Sequence, residues 1–237
     1  MKRYIIITLC MLLCFVAGCS GTGLFSSAPE STPEPKPEPA PDQAAAPKSD
    51  EPVPDIITGT IEMEDGGIIN FELYPDIAPE SVKNFVFLAR QGYYDGTRFH
   101  RIMSGFMIQG GCPNTRDSGG GRPGTGNPGY NIVGEFADNG IENNLEHTRG
   151  VISMGRLPTG SDTAGSQFFI CHGNPSSLNG GYAAFGMVTD GMDVVDRIAE
   201  TPNDGPDGSV AYDDMPVIKT IRIDGDFAMD EPNKLPR

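Results

Sequence analysis

The chain contains no tryptophan, only three histidines and only five cysteines among its 237 residues. Basic residues are scarce as well, with 17 Lys and Arg set against 32 Asp and Glu, for a formal charge of -15. A surface that acidic argues against recognition of nucleic acid or anionic lipid by charge. His100, His147 and His172 fall at no spacing used for metal ligation, and no Asp-His-Ser or Cys-His pattern can be built around them. All three read as structural, and no metal or cofactor is expected. The one long apolar run, Tyr4 to Val16, is too short for a comfortable transmembrane helix. Cysteine usage is thin outside the N-terminal region, where only Cys112 and Cys171 remain. Both are expected to be free thiols, since a disulfide requires Cα atoms within about 7 Å.

What is present divides the chain by composition. Lys2 and Arg3 precede the apolar run, the proportions of a secretory signal peptide, and Val16-Ala17-Gly18-Cys19 looks like a bacterial lipobox. That motif implies a signal peptide over residues 1–18, cleavage before Cys19 and lipid on its sulfur. At about 0.8 kcal/mol per buried CH₂, several acyl chains would hold the molecule at a membrane surface without a spanning helix. Nine of the 21 prolines fall between Pro29 and Pro54, in a stretch with almost nothing apolar to bury. Residues 19–54 therefore read as a lipidated cysteine and a disordered tether, which at about 3.1 Å per residue could reach on the order of 100 Å.

From residue 55 the pattern is that of strands. Ile57, Ile61 and Met63 alternate with Thr58, Thr60 and Glu62, and the alternation returns in Ile69, Phe71 and Leu73 after the turn signal Asp65-Gly66. Pro79-Glu80-Ser81 opens a helix whose Val82, Phe85, Val86 and Ala89 share a face, and Gly92 ends it. Further strand-like runs cover residues 98–103, 106–108, 151–154, 167–170, 185–188 and 217–223, with a second helix near 192–200. Eight short strands and two helices predict a mainly β domain over residues 55–227, a closed eight-stranded antiparallel barrel capped by two helices. Residues 228–237 are left as a short C-terminal tail.

The chemistry concentrates in Phe99-His100-Arg101-Ile102-Met103-Ser104-Gly105-Phe106-Met107-Ile108-Gln109-Gly110-Gly111, where a permanent cation with five donors sits among aromatics, methionines and an amide. Gly165-Ser166-Gln167-Phe168-Phe169-Ile170 again sets an amide beside aromatics. The first run resembles the cyclophilin signature Phe-His-Arg-Ile-Ile-Pro-Gly-Phe-Met-x-Gln-Gly-Gly at eleven of thirteen positions. Two more stretches are similar to the same family: Gly150-Val151-Ile152-Ser153-Met154-Gly155-Arg156, with Gly155 and Arg156 in place of Ala and Asn, and Ser177-Leu178-Asn179-Gly180-Gly181-Tyr182-Ala183-Ala184-Phe185-Gly186.

The resemblance implies a peptidyl-prolyl cis-trans isomerase on the same eight-stranded barrel. It assigns Arg101 as the catalytic donor. Phe106, Met107, Phe169 and Leu178 become walls of a proline pocket, Gln109 and Gln167 hold the substrate backbone or fix the arginine, and Gly155 and Arg156 lie on the edge that pairs with the peptide. Tyr182 takes the position of a pocket histidine. Ser177 stands where many members carry a tryptophan that donates to cyclosporin, so weak cyclosporin binding is expected. Taken together, these readings describe a monomeric, lipid-anchored isomerase on the extracytoplasmic side of the cell membrane, acting on Pro-containing polypeptides and assisting the folding of exported proteins. A non-catalytic surface module that binds Pro-containing segments in the same groove is the alternative.

Overall fold

The computed structural model describes residues 52–117, 120–203 and 205–237. The leader over residues 1–18, the lipidation site Cys19 and all but the last residues of the tether lie outside them. Among the described residues, no helix is long and apolar enough to cross a membrane.

Strand β1 (Ile57–Met63) and β2 (Ile68–Leu73) form an antiparallel hairpin. Gly66 adopts a φ of 85° at its turn, which an L side chain resists, and the Asp65 carboxylate accepts the Gly67 N–H at 2.9 Å. Helix α1 (Pro79–Arg90) follows, and its Val82, Phe85, Val86, Leu88 and Ala89 are buried. Ala78 supplies no side-chain cap. Glu135, 55 residues on, does so instead: its carboxylate accepts the N–H groups of Glu80 and Ser81 at 2.9 and 2.8 Å and the Ser81 hydroxyl at 2.7 Å.

The remaining elements are β3 (Arg101–Met103), β4 (Met107–Gly110), β5 (Val151–Met154), β6 (Phe168–Cys171), β7 (Ala184–Asp190), helix α2 (Met192–Ala199) and β8 (Ile218–Ile223). All eight strands join one antiparallel sheet in the order β3-β4-β6-β5-β7-β2-β1-β8. The expected closed barrel is corrected to a curled half-barrel, because β3 and β8 share no ladder.

The reason lies in residues 98–100 and 205–217. Arg98 makes only an isolated bridge to Val217. The outer edge of β3 is taken by irregular backbone, Ile102 donating to the Gly208 carbonyl at 2.7 Å and Val210 to that of His100 at 3.1 Å. Gly205, Pro206, Gly208 and Pro216 keep that segment from becoming a strand, so the seam is covered without being closed.

The sheet uses its two faces differently. Ile102, Ile108, Ile152, Phe168 and Ile170 enter the main core, where the Phe85 ring lies 5.1 to 5.8 Å from those of Phe71, Tyr94, Phe168 and Phe185. Their neighbours in sequence, Met107, Val151, Phe169 and Cys171, point the other way and form a second, smaller apolar cluster. The tail folds back on α1. Leu235 and Asn131 exchange backbone hydrogen bonds at 3.0 and 2.8 Å, and the Lys234 ammonium lies 4.5 Å from the centre of the Phe87 ring. Cys112 and Cys171 are both buried free thiols.

Candidate active site

The smaller cluster is the floor of a hollow of about 180 Å³ lined by Arg101, Phe106, Met107, Gln109, Gly155, Arg156, Phe169, Leu178 and Tyr182. These nine residues come from five separate parts of the chain. Strand register brings the central ones together: Arg101 is opposite Gln109 across β3 and β4, and Gln109 is opposite Phe169 across β4 and β6. Met107 and Phe169 are nearly inaccessible, so the floor is dry and apolar. Phe106 hangs from the β3–β4 turn. There Gly105 takes a φ of 76°, and the Phe106 N–H donates to the Met103 carbonyl at 2.9 Å. Leu178 comes from the 3₁₀ turn Ser176–Leu178, and the Tyr182 ring meets Phe169 edge-on at 5.8 Å.

Arg101 is half-buried and aimed by its Nε, which donates to the Asp207 carbonyl oxygen at 2.7 Å. Among the described residues, its two terminal nitrogens face only thioether sulfurs, Nη2 at 3.1 Å from Met103 Sδ and Nη1 at 3.8 Å from Met107 Sδ. Sulfur is a weak acceptor, so the fork keeps most of its donor capacity for whatever enters the hollow. His100 precedes it, and burial pushes its imidazole down to about 4, with the Arg101 charge acting in the same direction. The neighbour of the arginine is thereby neutral near pH 7.

Gln167 does not line the hollow. It lines the adjoining recess, its Oε1 accepting from Gln109 Nε2 at 3.0 Å while its own Nε2 donates to the carbonyls of Gly124 and Gly126, each at 2.9 Å. Gln167 thus ties Gln109 to the 122–126 loop. Arg156 covers one side, with Nε donating to the Gly181 carbonyl at 2.7 Å and the guanidinium 4.7 Å from the centre of the Tyr182 ring. A second recess of about 350 Å³ shares Gln109, Gly155 and Arg156 with the hollow, and Arg237 of the tail reaches its rim. Ser177 is exposed nearby.

Three contributors were not assigned to the site from the sequence. Asp207 aims the arginine through a carbonyl 106 residues away, Met103 supplies a sulfur, and His147 stacks on Phe169 at 5.9 Å. His147 is held by Asn179 Oδ1 and Ser153 Oγ, each at 3.0 Å, and burial pushes its imidazole below the usual value. Backbone carbonyls and rear-face packing leave no residue pattern to read.

An antiparallel half-barrel with an apolar-floored hollow beside an aimed arginine has room for a small apolar ring and a donor for a polar backbone next to it. The comparisons agree and are more specific. Residues 58–224 match the family model for cyclophilin type peptidyl-prolyl cis-trans isomerases. The chain is 41% identical over 168 residues to peptidyl-prolyl cis-trans isomerase B of Bacillus subtilis, covering 71% of this chain and 99% of that protein. It is 43% identical over 136 residues to a peptidyl-prolyl cis-trans isomerase of Helicobacter pylori, covering 56% and 76%. Among solved structures, a Cryptosporidium parvum cyclophilin type isomerase, crystallised in the presence of the dipeptide Ala-Pro, superposes with a TM-score of 0.59 at 32% identity, covering 71% of this chain and 99% of the other. The chain belongs to the cyclophilin-type peptidyl-prolyl cis-trans isomerases.

Proposed function

We propose that the hollow receives the proline ring of an extended polypeptide and that Arg101 is the catalytic donor for rotation about the preceding imide bond. The barrier to that rotation is about 18 to 20 kcal/mol, because the nitrogen lone pair is delocalised into the carbonyl. Midway through the turn the nitrogen becomes pyramidal and its lone pair becomes free to accept a hydrogen bond. A donor poised there stabilises the twisted state more than either planar one, which is the condition for raising a rate. No covalent bond is made or broken.

The observation that carries this reading is the pair of Arg101 terminal nitrogens, aimed from Asp207 and partnered only by sulfur. Phe106, Met107, Phe169 and Leu178 would grip the ring, Gln109 would bond the substrate backbone, and Gly155 would present main chain to it, with Arg156 and Tyr182 closing the side. The dipeptide in the Cryptosporidium structure ends in proline, which supports this substrate class.

The physiological setting is part of the same proposal: a lipid on Cys19, a flexible tether over residues 19–54, and clients that fold outside the cytoplasm at the membrane surface. Uncatalysed isomerisation takes roughly tens to hundreds of seconds, long enough to limit the folding of exported chains. A protease-coupled assay on a Pro-containing tetrapeptide tests the chemistry. Wild type accelerates isomerisation, and Arg101→Ala loses about 100-fold in kcat/KM. A wild type at background rate would leave only a proline-binding module, and a fully active Arg101→Ala would remove the arginine from the mechanism.

A further inference from the structure

His172 follows the last residue of β6 and lies away from the hollow, yet it is bonded to the turn that carries Phe106. Its Nδ1 accepts the backbone N–H of Gly105 at 2.8 Å, and the backbone N–H of His172 donates to the Phe106 carbonyl at 3.0 Å. The next residue, Gly173, donates to the same carbonyl at 3.3 Å. An amide N–H can only donate, so Nδ1 must be unprotonated and the ring proton must sit on Nε2. Nε2 is 3.0 Å from Asp196 Oδ1, on α2, and so donates to it.

Asp196 is in turn held by Arg149, whose Nη2 reaches both carboxylate oxygens at 2.7 and 2.8 Å while Nη1 donates to the His172 carbonyl at 2.8 Å. That guanidinium, ahead of the weaker contribution from His172, holds the Asp196 carboxyl below the usual carboxylate range and keeps it an acceptor. Arg149, Asp196 and His172 form a chain of charge-assisted bonds that ends on one backbone amide. That amide belongs to a four-residue turn with a glycine in the left-handed region, the kind of segment that drifts unless it is pinned.

We propose that His172 is a positioning residue of the isomerase: through the Gly105 N–H it fixes the 103–106 turn and thereby sets the Phe106 wall of the proline hollow, with Asp196 and Arg149 selecting its tautomer. The inference rests on the reading of Phe106 as a wall of the substrate site. A residue that merely staples the fold would, on removal, lower the folded fraction and hence kcat. One that sets a wall of the binding site raises KM in protein that is still folded.

The test compares wild type with His172→Leu, which has no acceptor, and His172→Asn, whose Oδ1 can stand at the place of Nδ1. Each is assayed for kcat and KM on a Pro-containing tetrapeptide, alongside its thermal midpoint. The expected result is a KM raised about five- to tenfold in His172→Leu and restored to within about twofold of wild type in His172→Asn. An unchanged KM in folded His172→Leu, or an Asn variant no better than Leu, overturns the proposal. Should His172→Leu fail to fold, imidazole ¹⁵N spectra of the wild type decide. A protonated Nδ1 overturns the proposal, and an unprotonated Nδ1 with a Gly105 amide resonance that shifts in Asp196→Asn supports it. A wild type that accelerates nothing refutes the isomerase reading instead, and the same spectra still report on the tie.

Discussion

Arg101 shows how one side chain can be committed and free at once. Its Nε is fixed by a carbonyl and its tip meets only sulfur, so orientation is settled before substrate arrives. Gln167 plays the complementary part by holding Gln109 and the loop carbonyls of Gly124 and Gly126 together. Gln167→Leu should leave both carbonyls and Gln109 without that partner and lower kcat/KM by about tenfold, with the thermal midpoint falling as well. Ser177 offers a gain instead of a loss. It is exposed beside Leu178, and the family resemblance implies an indole that donates to cyclosporin at this position. Ser177→Trp should tighten cyclosporin binding about tenfold by restoring one donor, read by titration calorimetry. No change would mean that the rim of this hollow excludes the drug for another reason.

At the scale of elements, α1 depends on a cap its own sequence does not contain. Glu135 satisfies three donors at the helix start, and burial outweighs those hydrogen bonds, pushing its carboxyl above the usual value of 4.5. A raised folded pKa means that the stability linked to this proton is fully present below the unfolded value and is lost as pH rises through the folded one. Glu135→Ala should therefore destabilise the domain by about 1 to 3 kcal/mol, with the gap from wild type wider near pH 4 than near pH 7, as measured by urea unfolding. An equal gap at both would show that the carboxyl is not shifted. The strands and both helices were legible because their periods of two and 3.6 survive in the sequence. Residues 98–100 were not, since their apolar and aromatic character suits a strand, but their partners near 216–218 and 208–210 are interrupted by Pro and Gly. Closure of a sheet depends on such distant edges, and a count of strands does not contain it. The lining of the hollow was legible through motif matches, whereas Gln167 precedes β6 and its place beside the hollow follows from bonds to Gln109 and to the distant Gly124 and Gly126 carbonyls, which no local pattern records.

For the whole molecule, the chemistry and the proposed setting rest on different stretches of chain. The family match runs from Thr58 in β1 to Asp224, and the tail beyond packs on α1. Among the described residues, the lining of the hollow comes from Arg101 to Tyr182. If Cys19 carries the anchor, then Cys19→Ser should move the protein from the membrane pellet to the soluble fraction of the producing cells, while tetrapeptide turnover stays within about twofold of wild type. The effect on clients should differ. An anchored enzyme on a tether of some 35 residues is confined to a shell on the order of 100 Å deep, which raises its concentration near chains emerging at that surface. Folding of a proline-limited exported client should then slow in the Cys19→Ser strain, and a deletion of residues 30–48 that keeps the anchor should slow it too by shortening the reach. Unaltered fractionation of Cys19→Ser would remove the anchor from the proposal and leave the isomerase intact.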